Sequence, residues 1–583
     1  MAVTIHQISP VAHLPLVLGV VRKLNIATLI DTFCPPHPAH VLSCGRGVEA
    51  LLLAILDGHH ALYKVGARLE ERGMIPLLQP GLTRASLHDY RLGQILETLF
   101  AANLNRVFGA IALNALEVYA VPTPWLHQDT TTITLYGVYE EEARPVKGLV
   151  PPRPAYGHSK DGRDDLKQVL LSVGVSSEGL PLRLGVRDGN TSDSTEMPVA
   201  IEECLALGLE GVRGIVADSK AYCKRTLGLC LEQRVGLITL VPRTCAVRQE
   251  AEAWGQQHSP LPLLLEKPGR TRQESPRRWH GASVVRPVEV EYADGRRAVE
   301  KLRFLVVHSS QLAQQAATTY TAAQAKEAER IAEHIQRVDA RWFACAADAE
   351  AAIAEYDGRG QGRRGRKPQP WRYHALRYRV EAVTHRQKRM QRGRPPKTEV
   401  PQETVRYRLR MGVEAHVPSA DTQGWTVLAT TVGAESCTDA ELLQAYQEQH
   451  TSVEPGFRWI KNPAAISPVW LEKPERIAAL AMLTVVGLLV YAVIQRQVRL
   501  SLRDHHQQIP GNKGLTALPT AAVVFDLFTP VTLVHYTVDN GPILHVHGIR
   551  EDHLIICEAV GIDHTWYQGA AAGPNSLLSA TPP

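Results

Sequence analysis

Paired cysteines, a leader-like N-terminus and long apolar runs are all scarce in this 583-residue chain, and each scarcity sets a class of protein aside. Nine cysteines are scattered over positions 34, 44, 204, 223, 230, 245, 345, 437 and 557 with no C-x-x-C pair among them. An odd, dispersed set fits a reducing compartment and argues against both a disulfide framework and a zinc ribbon. The opening MAVTIHQISPVAHLPLVLGVV has a short apolar run, but no basic stretch precedes it and no small-residue cleavage site follows, so no secretory signal is expected. One stretch, Ile477 to Ile494, runs 18 residues without a charge, at the lower limit for a spanning helix. Its small residues, and its place close behind a charged motif, point to a central helix buried in a large core and to no membrane partner.

What remains is ordinary globular material, 44% hydrophobic and 21% charged, long enough for two to four domains. The net charge of +5 hides an asymmetry. Between Arg359 and Lys397 fourteen Lys or Arg stand against one acid, Glu381, so this block carries +13 and the remainder of the chain carries −8. Such a block attracts a polyanion, of which nucleic acid is the commonest.

The periodicity divides the chain into five parts. Residues 1–115 read as an all-α domain with a DNA-binding role, with N-caps expected at Thr83 and Ser86. From about 120 to 244 the order is β-β-β-α-β-α-β: an antiparallel meander, then helices alternating with strands, as in a ribonuclease H-like fold. Residues 245–423 form a large α+β insertion holding the basic block 359–397. The core resumes over 424–500, and 501–583 form a small Pro- and Gly-punctuated region with one short strand pair and a disordered last dozen residues.

Two acids fall at strand positions suited to chemistry. Asp129 lies inside the first core strand, in HQDTTTI, and Asp218 ends a four-residue apolar run in VADSKAY. The first and fourth strands of this topology are neighbours, so the two converge at a sheet end where ligands bind. Glu454, in AYQEQHTSVEPGFRWIKNP, is the third, with Lys461 two helical turns further on and able to face the same side. Hard cations such as Mg²⁺ prefer carboxylate oxygens, and two of them can clamp the attacking and leaving oxygens of a phosphoryl displacement.

DTTTI, VADSKAY and the cluster Tyr446, Glu454, Lys461 resemble the DDE signature of the IS1634 family of insertion-sequence transposases, within the IS4 group. GHSKDGRDDLKQ (157–168) and GNTSD (189–193) are similar to that family too, and the likeness covers most of the chain. The resemblance implies a DNA transposase that hydrolyses phosphodiesters at transposon ends and transfers the freed 3′-hydroxyl to target DNA. It implies two Mg²⁺ ions, replaceable by Mn²⁺, held by Asp129, Asp218 and Glu454, with Tyr446 and Lys461 on DNA. Partners would be double-stranded terminal inverted repeats and target DNA, the working form a homodimer, and the place the nucleoid of a bacterial cytoplasm. A transposase-derived DNA-binding protein with impaired chemistry is the alternative.

The sequence departs from the group's Y-x2-R-x3-E-x6-K pattern. Gln449 stands where Arg is expected, one extra residue separates Tyr446 from Glu454, and Pro455 follows the acid. Arg458 is a substitute DNA contact for position 449. Because proline disfavours helical geometry in the residue before it, a break is expected near Thr451 to Glu454, with the acid opening a new helix.

Within the basic block, RGRKP (Arg364, Arg366) and RGRPP (Arg392, Arg394) resemble cores that lie in narrow A·T-rich minor grooves. The intervening WRYHALRYRV interleaves aromatics with arginines that could stack on bases. Weaker signals are His545, His547, His553 and Cys557, whose spacing suits a metal but more plainly a partly buried strand. The pairs His59–His60 and His505–His506 read as surface residues, and Asp164, Asp165 and Asp193 are alternative acids near the proposed site whose loop context favours turns or DNA-facing polar roles.

Overall fold

The computed structural model describes residues 4–59, 61–140, 144–160, 162–209, 211–269, 274–356, 371–386, 403–416, 424–460, 471–538 and 541–562. It is a mixed α/β chain of two compact units. The larger joins Met1–Arg248, Ser283–Leu305 and Leu428–Pro583; the smaller joins Gln249–Ala282 and Val306–Val427. Sequence periodicity placed the insertion over 245–423; in the structure the hairpin segment 283–305 belongs to the larger unit.

The chain opens with strand β1 (Thr4–Ser9) and continues through helices α1 (Leu14–Lys23), α2 (Ile26–Phe33), α3 (Cys44–Leu56), α4 (Leu62–Glu71), α5 (Ile75–Leu78), α6 (Asp89–Ala101) and α7 (Leu104–Val118). The Ser43 side chain starts α3 by accepting from Arg46 N. Asp31 on α2 accepts from Gly45 N at 2.7 Å and from Ser43 Oγ at 2.8 Å, which locks α2 to α3. The crossing requires glycine, since a Cβ at position 45 would lie 2.1 Å from the Ala27 carbonyl oxygen. The expected caps at Thr83 and Ser86 are corrected: Thr83 makes no capping bond and Ser86 lies inside a short 3₁₀ turn, Arg84–Leu87. His88 takes that part instead, accepting from Arg91 N at the start of α6.

The predicted order β-β-β-α-β-α-β follows: β2 (Trp125–Thr134), β3 (Gln168–Ser176), β4 (Pro181–Arg187), α8 (Asp193–Ala206), β5 (Gly214–Ala217), α9 (Lys224–Glu232) and β6 (Gly236–Leu240). Across the sheet the strands run β4-β3-β2-β5-β6. The first three form an antiparallel meander, and β5 and β6 lie parallel to β2. Beneath α8 the sheet buries ions in a closed network. Arg183 of β4 bonds Glu196 at 2.8 Å, Glu203, and Ser172 Oγ at 2.5 Å, while Arg187 completes the ring at 2.8 Å from Glu196 and 2.7 Å from Glu203. Burial alone would raise the Glu196 carboxyl, but the two guanidiniums hold it below the usual carboxylate range.

After β6 come α10 (Ala246–Gln257), β7 (Leu263–Lys267), β8 (Arg277–Glu291), β9 (Arg297–Ser309), α11 (Ser310–Asp339), β10 (Trp342–Phe343), α12 (Ala346–Tyr356), β11 (His374–Arg386) and β12 (Glu403–Ala415). In the smaller unit β12 lies between β10 and β11, and the sheet rests on a core of Val338, Phe343, Ala349, Ala352 and Leu409.

Strand β13 (Trp425–Thr430) then pairs antiparallel with β6 through Leu428–Thr430. Helices α13 (Asp439–Ile460) and α14 (Pro474–Asp504) follow, then β14 (Ile509–Gly511), β15 (Gly514–Thr516), α15 (Ala521–Leu527), β16 (Thr532–Val538), β17 (Gly541–His547) and α16 (Glu551–Ala559). The apolar stretch 477–494 lies within α14, a helix long and apolar enough to cross a membrane, yet 94% of its most apolar 18 residues are buried inside the protein. Every residue from Ile477 to Val490 is buried. It packs against α1, α3, α6 and α7 of the N-terminal bundle, against β4 of the sheet, and against α13, α15 and α16. The end of the chain holds two strand pairs, β14–β15 and β16–β17, in place of the one expected, and β1 joins the second as its third strand. The last dozen residues lie outside those described.

Replacing Arg183 with Met should leave Glu196 and Glu203 sharing the single guanidinium of Arg187 and lower stability by about 3 kcal/mol. Urea unfolding followed by circular dichroism would measure this. An Arg183→Met chain as stable as the native one would show that the network contributes nothing net.

Candidate functional site

Strand register brings the first two predicted acids together. Parallel pairing sets Gln128 of β2 opposite Ala217 of β5, so the next residues, Asp129 and Asp218, are cross-strand neighbours where β5 ends. Both are half-buried. Asp129 Oδ1 accepts from Thr130 N at 2.7 Å. Asp218 turns the chain sharply: its Oδ1 accepts from Lys220 N at 2.9 Å, and its carbonyl accepts from Thr239 Oγ1 of β6 at 2.6 Å.

Lys160, outside the expected set, and Asp193, one of the alternative acids, join them. Lys160 Nζ donates to the Thr130 carbonyl at 2.7 Å and to Thr130 Oγ1 at 2.5 Å, and lies 3.5 Å from Asp193 Oδ2. Thr130 Oγ1 in turn donates to Asp193 Oδ1 at 2.7 Å. Lys160 comes from GHSKDGRDDLKQ and Asp193 closes GNTSD, and those two segments press together. A Cβ on Gly157 would lie 2.2 Å from the Gly189 carbonyl oxygen, and Gln168 Nε2 donates to that oxygen at 2.9 Å. The neighbouring acids are structural: Asp164 accepts from Ser159 N at 3.2 Å, and Asp165 pairs with Arg163 at 2.8 Å.

The site holds more negative charge than it neutralises. Asp129 is pushed up to about 6, first by burial and further by Asp218 and Asp193, although Lys160 and the Thr130 N–H pull the other way. Asp218 is raised too, by burial and Asp193, against the Lys220 N–H and Lys160. Tyr446 on α13 lies within the field of both: burial pushes its phenol up to about 12, with Asp218 and Asp129 adding and Arg248 opposing. On the Asp129 face of β2, His127 and Thr131 flank the acid at two-residue spacing. Both are buried, and neither the His127 ring nitrogens nor Thr131 Oγ1 has a hydrogen-bond partner among the described residues. Burial holds His127 down to about 4, hence neutral at physiological pH.

Helix α13 corrects the expected break. It runs unbroken from Asp439 to Ile460, through Thr451–Glu454 and past Pro455. Packing on α14 supplies the reason: Ile460 is fully buried, the Trp459 ring lies 5.4 Å from that of Tyr491, and a Cβ on Gly456 would touch Leu488 at 3.1 Å. Those contacts hold the last turn helical against the local preference set by proline. Glu454 therefore lies mid-helix, eight residues beyond Tyr446; its side chain, like the whole of Lys461, Arg364, Arg366, Arg392 and Arg394, lies outside the described residues. Gln449 is buried at 8% exposure, whereas Arg458 is exposed.

Residues 6–113 match a family described as "Domain of unknown function (DUF4277)". That match spans most of β1 and helices α1 to α6 and stops within α7, short of both acids. No curated protein matches the sequence.

Among the described residues no group of three or more His, Cys, Asp or Glu is disposed to hold a metal ion. His545 and His547 are exposed, while His553 is occupied with α16, accepting from Arg550 N at 3.0 Å and contacting the Leu527 carbonyl at 2.8 Å. His59, His505 and His506 are exposed, as expected, and His60 lies outside the described residues.

A carboxyl whose folded pKa lies above its unfolded value costs stability once pH passes the unfolded value of about 3.9, and the cost is complete above the folded value. For Asp129 that window runs from about 4 to about 6. In a chelator, Asp129→Asn should match the native chain near pH 3.5 and exceed it by up to about 3 kcal/mol at pH 8. Thermal melts at the two pH values test this; an equal difference at both would remove the titration account.

Proposed function

We propose that the chain is a DNA transposase with a ribonuclease H-like catalytic core over residues 120–244 and 424–500. The observation that carries this reading is the pair Asp129 and Asp218, side by side on adjacent parallel strands and sharing uncompensated negative charge, with α13 bringing Tyr446 beside them. The strand order β4-β3-β2-β5-β6 and the chain order β-β-β-α-β-α-β support it, as do the family-like motifs that supply Lys160 and Asp193.

The donor set suits Mg²⁺ or Mn²⁺: hard carboxylate oxygens, held above their usual range by burial and by neighbouring acids, gain from a nearby cation. When bound, two such ions supply an activated water and stabilise the attacking and leaving oxygens of an in-line displacement. Asp129 and Asp218 would hold them, with Glu454 as the third ligand. Lys160, fixed by Thr130 and Asp193, keeps a positive charge beside the acids and limits their repulsion. Tyr446 and Arg458 lie on α13, and they and Lys461 contact DNA phosphates near the cut. Water first breaks the bond between phosphorus and the 3′ oxygen at a transposon end, leaving a 5′ phosphate and a 3′-hydroxyl. That hydroxyl then attacks a target phosphodiester and displaces its 3′ oxygen, so no protein nucleophile is consumed. Two ends are handled together by a homodimer in the bacterial cytoplasm.

A DNA-binding descendant with impaired chemistry is the second reading, favoured by the buried glutamine at 449 and by the extra residue between Tyr446 and Glu454. One assay separates the two. Incubated with Mg²⁺ and a duplex bearing its own terminal repeats, the native chain should nick at the transposon end. Asp129→Ala, Asp218→Ala and Glu454→Ala should each lower that rate by at least about a thousandfold. Equal cleavage by all three would remove these acids from the chemistry, and no cleavage by the native chain would favour the second reading. Millimolar Mg²⁺ should also raise the melting temperature of the native chain, and this gain should vanish in the Asp129→Asn, Asp218→Asn double variant.

A further inference from the structure

The smaller unit carries a charged surface that the catalytic reading leaves unassigned. Strands β11 and β12 pair along their whole length, His374 opposite Ala415 and Arg386 opposite Glu403, as a long two-stranded ribbon. Alternation divides it into two faces. One buries Tyr378, Val380, Tyr407 and Leu409 against the core built on Val338 and Phe343. The other carries Arg377 and Arg379 from β11, and Arg406, Arg408 and Arg410 from β12.

These guanidiniums exceed the acids available to them. Glu381 accepts from Arg408 at 2.7 Å and from Arg410 at 2.9 Å, Glu414 pairs with Arg377 at 3.0 Å, and Asp339 reaches Arg410 at 3.2 Å. Arg379 and Arg406 are exposed and have no acidic partner among the described residues. Arg379 also sits directly opposite Arg410, a like-charge placement that costs a ribbon stability when nothing outside compensates it. At the edge, Trp342 lies 5.5 Å from the Arg408 guanidinium and 5.2 Å from the His385 ring.

We infer that this arginine face docks on the phosphate backbone of duplex DNA. The inference rests on the reading of the chain as a protein that acts on DNA. Arg406, Arg408 and Arg410 repeat at two-residue intervals of about 6.8 Å, about two phosphate steps along the axis of one DNA strand. A single-stranded ligand would want a row of aromatic platforms. Here the fold turns Tyr378 and Tyr407 into the core, so the interleaving of Tyr and Arg in the sequence becomes separation by face. Several arginines are already engaged by carboxylates, so the face fixes position on the duplex without reading bases.

The test uses the full chain in a chelator, with fluorescence anisotropy on a labelled 30-base-pair duplex of mixed sequence. The double variant R379Q/R406Q should bind on the order of tenfold more weakly at 0.1 M salt, with a salt slope smaller by about two. The loss should be the same on unrelated sequences, with a melting temperature no lower than that of the native chain. The matched variant R225Q/K301Q removes two exposed charges of the larger unit and should bind as the native chain does. Unchanged affinity and slope in R379Q/R406Q overturns the inference, as does an equal loss in R225Q/K301Q, which would reduce the effect to net charge. A greater loss on a 30-nucleotide single strand than on the duplex overturns the choice of ligand. If the native chain nicks its terminal repeats while R379Q/R406Q binds normally, this face alone is rejected. If the native chain has no duplex affinity, the DNA reading is rejected with it.

Discussion

The burial of α14 is the constraint on which the larger unit depends. A helix this apolar has no stable place in water, so it has to be covered on all sides. The cover comes from parts of the chain far apart in sequence: α1, α3, α6 and α7 on the N-terminal side, β4 of the sheet, and α13, α15 and α16 from the C-terminal region. The helix ends are fixed by polar contacts. Lys473 and Arg476 meet Glu97 of α6, each at 2.7 Å, and Arg496 donates to the Tyr119 carbonyl at 3.1 Å and pairs with Glu178 of the β3–β4 turn. The same helix supports the site, because α13 is held straight by Leu488 and Tyr491 of α14.

The site itself is an electrostatic compromise. Two carboxylates are placed side by side by sheet register, which no side-chain repacking can undo. Lys160 and a few backbone N–H groups offset part of the repulsion, and the remainder appears as raised proton affinity in both acids. Uncompensated charge of this kind is costly to a resting fold and useful to one that recruits cations or a polar substrate. His127 adds to that cost, a buried imidazole with neither nitrogen satisfied, two residues from Asp129.

Much of this is legible in the sequence where local pattern and fold agree. The strand meander, the four-residue β5 and the acid at its end are written in alternation and in short apolar runs, so the pairing of Asp129 with Asp218 follows from pattern alone. What escapes such reading is set by distant packing. Pro455 argues locally for a helix break, but Ile460, Trp459 and Gly456 are held by α14 and the helix continues. Lys160 lies in a loop whose approach to Asp193, at the start of α8, depends on Gly157 meeting Gly189, a contact without periodicity to announce it. Arginine and tyrosine alternating in WRYHALRYRV look alike in sequence, yet a strand sends them to opposite faces.

The pairing of β1 with β16, Thr4 against Thr537, bears on how the protein is made. Strand β1 leaves the ribosome more than 500 residues ahead of its partner β16, and helices α1 to α7 wait several hundred residues for α14. Until then the bundle exposes the apolar surfaces that α14 will cover, and β1 has an unpaired edge open to other strands. Nascent or prematurely terminated chains are thus the aggregation-prone form of this protein and natural clients for chaperones. Its larger unit closes only when translation has passed α16, which ends at Ala559.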